Sequence, residues 1–202
     1  IKGGLETVPV FSGAALRFTL AAIVFVLIAP ALAKREGGRS PSPALSLAMG
    51  LFNFAISYGV VYWGEQVLPS GLASVLWATF PLMVAMLGHF TLPEERLVPR
   101  QWLGFVVAFG GIALLFVEDL SALGDDAMWV GAVFLLSPLS AAIGQVIIKR
   151  YGSEVSSALL NRNGMCIGAV ALWGLALQGE SLSTVSWTFS GVASIVYLAI
   201  FG

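Results

Sequence analysis

The residue with most to explain is an arginine inside an apolar run. Arg17 alone interrupts the stretch from Val10 to Leu32 and stands about two turns inside it. A charge at the centre of a membrane-spanning helix costs ~2.5–3.5 kcal/mol on insertion scales. Such a guanidinium either faces a bundle interior, where it attracts an anionic group, or snorkels to the nearer interface and caps a neighbouring helix. Asn53 and Tyr58 raise the same question in the next apolar run. Polar groups in hydrocarbon need partners, so they either line a cavity or bond between helices. Asn53, Ser57 and Gly64 share one helical face; Tyr58, Tyr62 and Glu65 share another. Tyr62, Trp63 and Glu65 fall near the outer boundary, where Trp63 suits an aromatic belt. Trp77 lies mid-helix on a stripe with Ser70, Ser74, Pro81, Ala85 and Gly88. A large ring among small residues either walls a pocket and stacks on a solute, or simply packs. Pro81 and Pro138 each remove a backbone donor and are candidate kinks or hinges. Gln145, near Ser137, Pro138 and Ser140, also needs partners at depth.

Chemistry of other kinds lacks its residues. There is one His and one Cys, so neither a zinc constellation nor an internal disulfide can be assembled. Cys166 reads as a small apolar residue, and His89 as an interfacial one rather than a proton relay. Leu123-Gly124-Asp125 faintly resembles an intramembrane aspartyl-protease motif, but Ala122 replaces its first glycine and no second intramembrane Asp accompanies it. Neither Gly-x-Ser-x-Gly nor a phosphate-cradling Gly-x-x-x-x-Gly-Lys occurs. No catalytic residue, metal or cofactor is expected. The formal net charge of -1, without basic patches, argues against nucleic acid as a partner.

The elements that must position these residues follow from composition. The chain is 58% hydrophobic and 10% charged, against about a quarter charged for a soluble domain. Long apolar runs between short polar breaks predict an all-α polytopic membrane protein. Helices are expected over about residues 10–32, 45–64, 70–92, 101–117, 128–148 and 163–177, with a seventh from about Phe189. Glu118, Asp119, Asp125 and Asp126 make the connection after the fourth an acidic one. Lys and Arg gather after the first, third and fifth helices (Lys34, Arg35, Arg39; Arg96, Arg100; Lys149, Arg150, Arg162) and are absent after the second, fourth and sixth. The positive-inside rule puts the first set in the cytoplasm and residue 1 on the outer side. The chain opens on Ile1 rather than Met and closes inside an apolar run. A longer protein, with sequence at both ends, is expected.

The run PSGLASVLWATFPLMVAMLGHFTLPEERLVPRQWLGFVVAFGGIALL resembles the EamA-type repeat of the drug/metabolite transporter superfamily. Pro81, Glu95-Arg96-Leu97, Gln101-Trp102-Leu103-Gly104 and Gly110-Gly111 stand in the family's order, and Ala15-Leu16-Arg17-Phe18 matches its second-helix signature. The likeness covers about residues 5–117. It implies ten helices in two five-helix repeats of opposite orientation, the inverted-repeat architecture of many transporters. In that register residues 1–118 are most of the first repeat without its first helix. Residues 119–126 form an acidic inter-repeat loop, and 127–202 begin the second repeat. Gln145, on the helix that opens the second repeat, then faces the central cavity. The resemblance implies a multi-pass secondary transporter of a bacterial inner membrane, exporting an amino acid-like or drug-like metabolite by alternating access. Arg17, Asn53, Tyr58, Trp77 and Gln145 would lie along its pathway. Lacking a nucleotide motif, it would draw on a coupling ion or solute gradient. A non-transporting helical scaffold, in which the small-residue stripes are helix interfaces only, is the alternative. Oligomeric state is not legible.

Overall fold

The computed structural model describes residues 9–180 and 188–201, without the side chains of residues 115–123, 125, 190, 200 and 201. Residues 1–8 and 181–187, both expected on the outer side from the charge pattern, lie outside the described residues. The described residues form seven helices and no strand, only an isolated bridge between Arg39 and Val155. They are α1 (Val10–Glu36), α2 (Pro43–Gly64), α3 (Ser70–Thr91), α4 (Pro99–Leu123), α5 (Asp125–Phe134 continued by Leu136–Tyr151), α6 (Ser157–Gly179) and α7 (Phe189–Phe201). By length and composition α1, α2, α3 and α5 can each cross a bilayer.

Several boundaries differ from expectation. Helix α1 continues past Leu32 because Lys34 and Arg35 favour a helix C-terminus, and it stops at Gly37 in the left-handed region (φ 70°). The acidic connection proves to be largely helix. Helix α4 runs to Leu123, because nothing between Val117 and Leu123 breaks a helix and Glu118 and Asp119 tolerate one. The break falls at Gly124 (φ 97°), and the expected 119–126 loop shrinks to this turn. Helix α6 begins at Ser157, ahead of the expected Asn163, because the Ser156 hydroxyl caps it by accepting the Leu159 N–H (3.3 Å).

Three helices are irregular. Residues Met49–Ile56 of α2 are wound as a π-helix, a form that widens the turn and recurs at functional sites. The Ser140 hydroxyl of α5 donates to the Phe52 carbonyl inside that stretch (2.8 Å). Helix α3 is interrupted at Ala78–Thr79, just ahead of Pro81. Helix α5 is interrupted at Leu135, just ahead of Pro138. In both the proline withholds an N–H from the carbonyl four residues earlier.

Helices α1 and α6 pack along one another and are capped reciprocally. Glu180, the residue that ends α6, accepts from the α1 backbone N–H groups of Phe11 and Ser12 and from the Ser12 hydroxyl, each at 2.7 Å. Glu36, the last residue of α1, accepts from the Ser156 and Ser157 hydroxyls (2.5 and 2.8 Å) and the Ala158 N–H (3.3 Å) of α6. The two helices are therefore antiparallel. Buried Ala14, Ala15, Ala169 and Leu172 belong to the core between them, and small residues let membrane helices approach closely. Gly164 and Gly168 lie against Phe54 of the π stretch, where a Cβ would collide with the ring or its Cβ. A second core gathers Leu68, Leu72 and Leu76 against Val130 and Phe134. The first half of α3 thus packs through Leu72 and Leu76, with Trp77 of the small-residue stripe against the edge of the same core, and in the second half Gly88 of that stripe is buried. Helix α7 lies on α1, and α4 on the first half of α5.

Candidate functional site

The helical spacing of Tyr58, Tyr62 and Glu65 turns these side chains of α2 toward Arg17 of α1. Arg17 is 5% exposed and does not snorkel. Its Nε donates to the Leu198 carbonyl of α7 (3.2 Å), and its guanidinium carbon stands 5.2 Å from the Phe18 ring centre and 5.1 Å from that of Tyr58. These partners return part of the hydration that burial removes. Tyr62, on the same face of α2, is 4% exposed.

Arg17, Tyr58 and Trp77 line one cavity of about 280 Å³, with Glu65, Val61, Ala73, Ser74, Phe134 and Leu198 completing its wall. Five helices contribute, so the chamber exists only in the assembled bundle. The wall carries a guanidinium, a carboxylate and aromatic rings, and Trp77 is set against Phe80 behind it (5.0 Å between ring centres). The Trp77 indole N–H donates to the Ser137 hydroxyl of α5 (2.9 Å).

Glu65 is the site residue that sequence reasoning missed. It is 8% exposed and lines the cavity, where an outer-boundary position was expected. The signal was present, since its spacing from Tyr58 and Tyr62 already put it on their face. Asn53 and Gln145 do not join the cavity. Asn53 is half-buried on the π stretch with its amide against Gly144, and its Nδ2 has no hydrogen-bond partner among the described residues. Gln145, the next residue along, is exposed. Pro81 is exposed and Pro138 buried.

The remaining polar residues are structural in their contacts. His89 accepts the Leu97 N–H at Nδ1 (2.9 Å) and packs edge-on to Trp102, closing the α3–α4 turn. Glu95 pairs with Lys149 of α5. Trp63 borders a separate apolar pocket of about 250 Å³ with Phe11, Ile56 and Val133. Among the described residues no three His, Cys, Asp or Glu side chains gather as metal ligands would.

Apolar helices of spanning length, lining a cavity with buried charge, define a multi-pass helical membrane protein. More specifically, the chain belongs to the EamA-like transporter family, whose model matches residues 1–117. It is 25% identical over 201 residues to the uncharacterized transporter YvbV of Bacillus subtilis, covering 99% of this chain and 64% of that protein. It is 29% identical over 211 residues to the uncharacterized inner membrane transporter YedA of Escherichia coli K12, covering 100% and 64%. An uncharacterized transporter of Archaeoglobus fulgidus is 26% identical over 188 residues, covering 93% and 64%. The chain therefore spans under two thirds of these relatives' length. No solved structure matches it.

Proposed function

We propose that this chain is part of a secondary transporter that carries a small amphoteric metabolite across a bacterial inner membrane by alternating access. One observation carries the reading: Arg17 and Glu65 share a single cavity with the aromatic rings of Tyr58 and Trp77. A guanidinium pairs well with a solute carboxylate, a carboxylate with a solute amine, and an indole with an apolar side chain. The volume, about 280 Å³, stands at the small end of the ~300–1,000 Å³ typical of ligand pockets. That favours an amino acid-like solute over a drug-sized one. Export is the direction the family resemblance implies.

The inverted-repeat reading is part of the proposal, with α1–α4 as most of one repeat and α5–α7 opening the other. Its support is the reciprocal capping of α1 and α6 through Glu36 and Glu180, because these are corresponding helices in that register. The interruptions beside Pro81 and Pro138 supply places where α3 and α5 bend. Energy comes from a solute or ion gradient.

The test uses the complete reading frame in liposomes, loaded with a radiolabelled amino acid, its decarboxylated amine or its deaminated acid. Flux should favour the amino acid and fall in Trp77→Ala and Arg17→Gln at unchanged protein level. Folded protein with no flux for any solute would replace transport by the scaffold reading.

A further inference from the structure

The three irregular helices meet at one buried hydroxyl. Ser137 Oγ accepts the Trp77 indole N–H at 2.9 Å and lies 3.2 Å from Ser57 Oγ. Ser137 is 0% exposed and Ser57 1% exposed. Each member of this chain stands at the edge of an irregularity. Ser57 is the first residue after the π stretch Met49–Ile56 of α2. Trp77 is the last residue before the interruption of α3 at Ala78–Thr79. Ser137 follows the interruption of α5 at Leu135 by two positions and precedes Pro138. Trp77 is in addition a wall of the cavity, which Ser57 and Ser137 do not line.

We propose that Ser137 is a positioning residue for solute recognition: it fixes the orientation of the Trp77 ring and ties what touches that ring to the three helix irregularities. The inference rests on the transport reading for its link to solute, while the tie itself is a property of the bundle. An indole N–H in an apolar interior needs an acceptor, and an orphaned one is costly. The chain through Ser137 spans α2, α3 and α5, so a tilt of the indole acts on Ser137 beside Pro138 and through it on Ser57. A solute that seats the ring in its bonded orientation keeps all three helices in register. One that displaces it releases them together.

Two measurements on the complete protein test this. In liposomes, Ser137→Ala should raise the KM for the transported amino acid about fivefold, the loss of one neutral hydrogen bond, with kcat nearly unchanged. In a Trp77→Phe background, which already lacks the donor, the same substitution should leave KM as it is. A merely structural role would lower the amount of folded protein and not separate KM from kcat. In detergent micelles, hydrogen–deuterium exchange should quicken about two- to tenfold in Ser137→Ala at residues 49–57 of α2 and 77–80 of α3, away from the substituted helix. Ser74→Ala, whose hydroxyl bonds only within its own turn, should not reproduce this. Exchange changes confined to α5 would overturn the inference, as would a KM shift that persists in Trp77→Phe. Wild-type flux that depends on Trp77 but not on Ser137 would remove the positioning role and leave the transport reading standing. Absent flux with coupled exchange would do the reverse, removing the transport reading while the mechanical tie holds.

Discussion

Removing the Glu180 carboxylate should loosen the far end of α1, more than 160 residues away in sequence. The first turn of a helix presents N–H groups with no partner of their own. In α1 the residue ahead of that turn is Pro9, which has no side-chain acceptor to offer. Glu180 supplies the missing cap from another helix, taking the N–H groups of Phe11 and Ser12 and the hydroxyl of fully buried Ser12. Loss of an N-cap costs ~0.5–2 kcal/mol, and a hydrogen bond to a charged group is worth ~1.5–3 kcal/mol. These terms overlap, so Glu180→Ala should cost about 3 kcal/mol. Glu180→Gln keeps the shape and an acceptor oxygen but loses the charge at a helix N-terminus, and should cost about 1 kcal/mol. The corresponding Glu36→Ala should cost less than Glu180→Ala. Glu36 is exposed, and α6 has its own cap in Ser156. The assay is reversible unfolding of the complete protein in mixed micelles of a mild detergent and dodecyl sulfate. Ser12→Ala added to Glu180→Ala should change little, because the two share one bond. A Glu180→Ala variant within about 0.5 kcal/mol of wild type, the range of an uninvolved surface substitution, would refute the reciprocal clamp. So would equal losses in the Ala and Gln variants.

Other perturbations separate further contacts. Gly64→Ala puts a methyl 2.6 Å from the fully buried Phe134 ring and should cost about 1–3 kcal/mol in the same unfolding assay. Phe134→Leu should recover part of that loss. Arg17→Lys keeps the charge but gives up the planar contact with Phe18 and Tyr58 and the bond to the Leu198 carbonyl. It should cost about 1–2 kcal/mol and, on the transport reading, lower flux; exchange mass spectrometry should find α7 less protected. Ion pairs open to solvent on one side, as that of Glu95 with exposed Lys149 is, are worth little, so Glu95→Ala should shift stability by less than about 1 kcal/mol. A full exchange, Glu95→Lys with Lys149→Glu, should restore whatever is lost at low salt.

The class of fold was legible because the constraint behind it is coarse. Hydrocarbon admits apolar helices of bilayer length whatever their detailed packing, so runs such as Val10–Leu32 and Leu72–Leu92 announced themselves. Boundaries slipped where hydropathy and helicity part company. At Glu118 and Asp119 the apolar run ends but the helix does not, since charge ends burial in lipid without ending hydrogen bonding along the backbone. The π stretch of α2 was not legible, because nothing in MGLFNFAI breaks an ordinary helix. Its carbonyls meet Ser140 and its surface meets Gly164 and Gly168, all on helices more than 80 residues away.

The chamber divides the same way. Arg17, Tyr58 and Trp77 stood out singly, each by cost or size, and the bundle brings them to one cavity. Asn53 and Gln145 stood out by polarity just as strongly and lie elsewhere, because polarity reports that a residue needs a partner and not which partner it finds. Glu65 was discounted for its place near the outer boundary, yet a residue at a helix end can still face inward. It directly follows the last residue of α2 and is buried there. It shares its cavity with Arg17, the charge of opposite sign. Spacings of four and three residues put Glu65 with Tyr58 and Tyr62, and that relation holds because it is local. Face assignments within two turns are therefore the part of such a sequence to trust, and estimates of depth the part to measure.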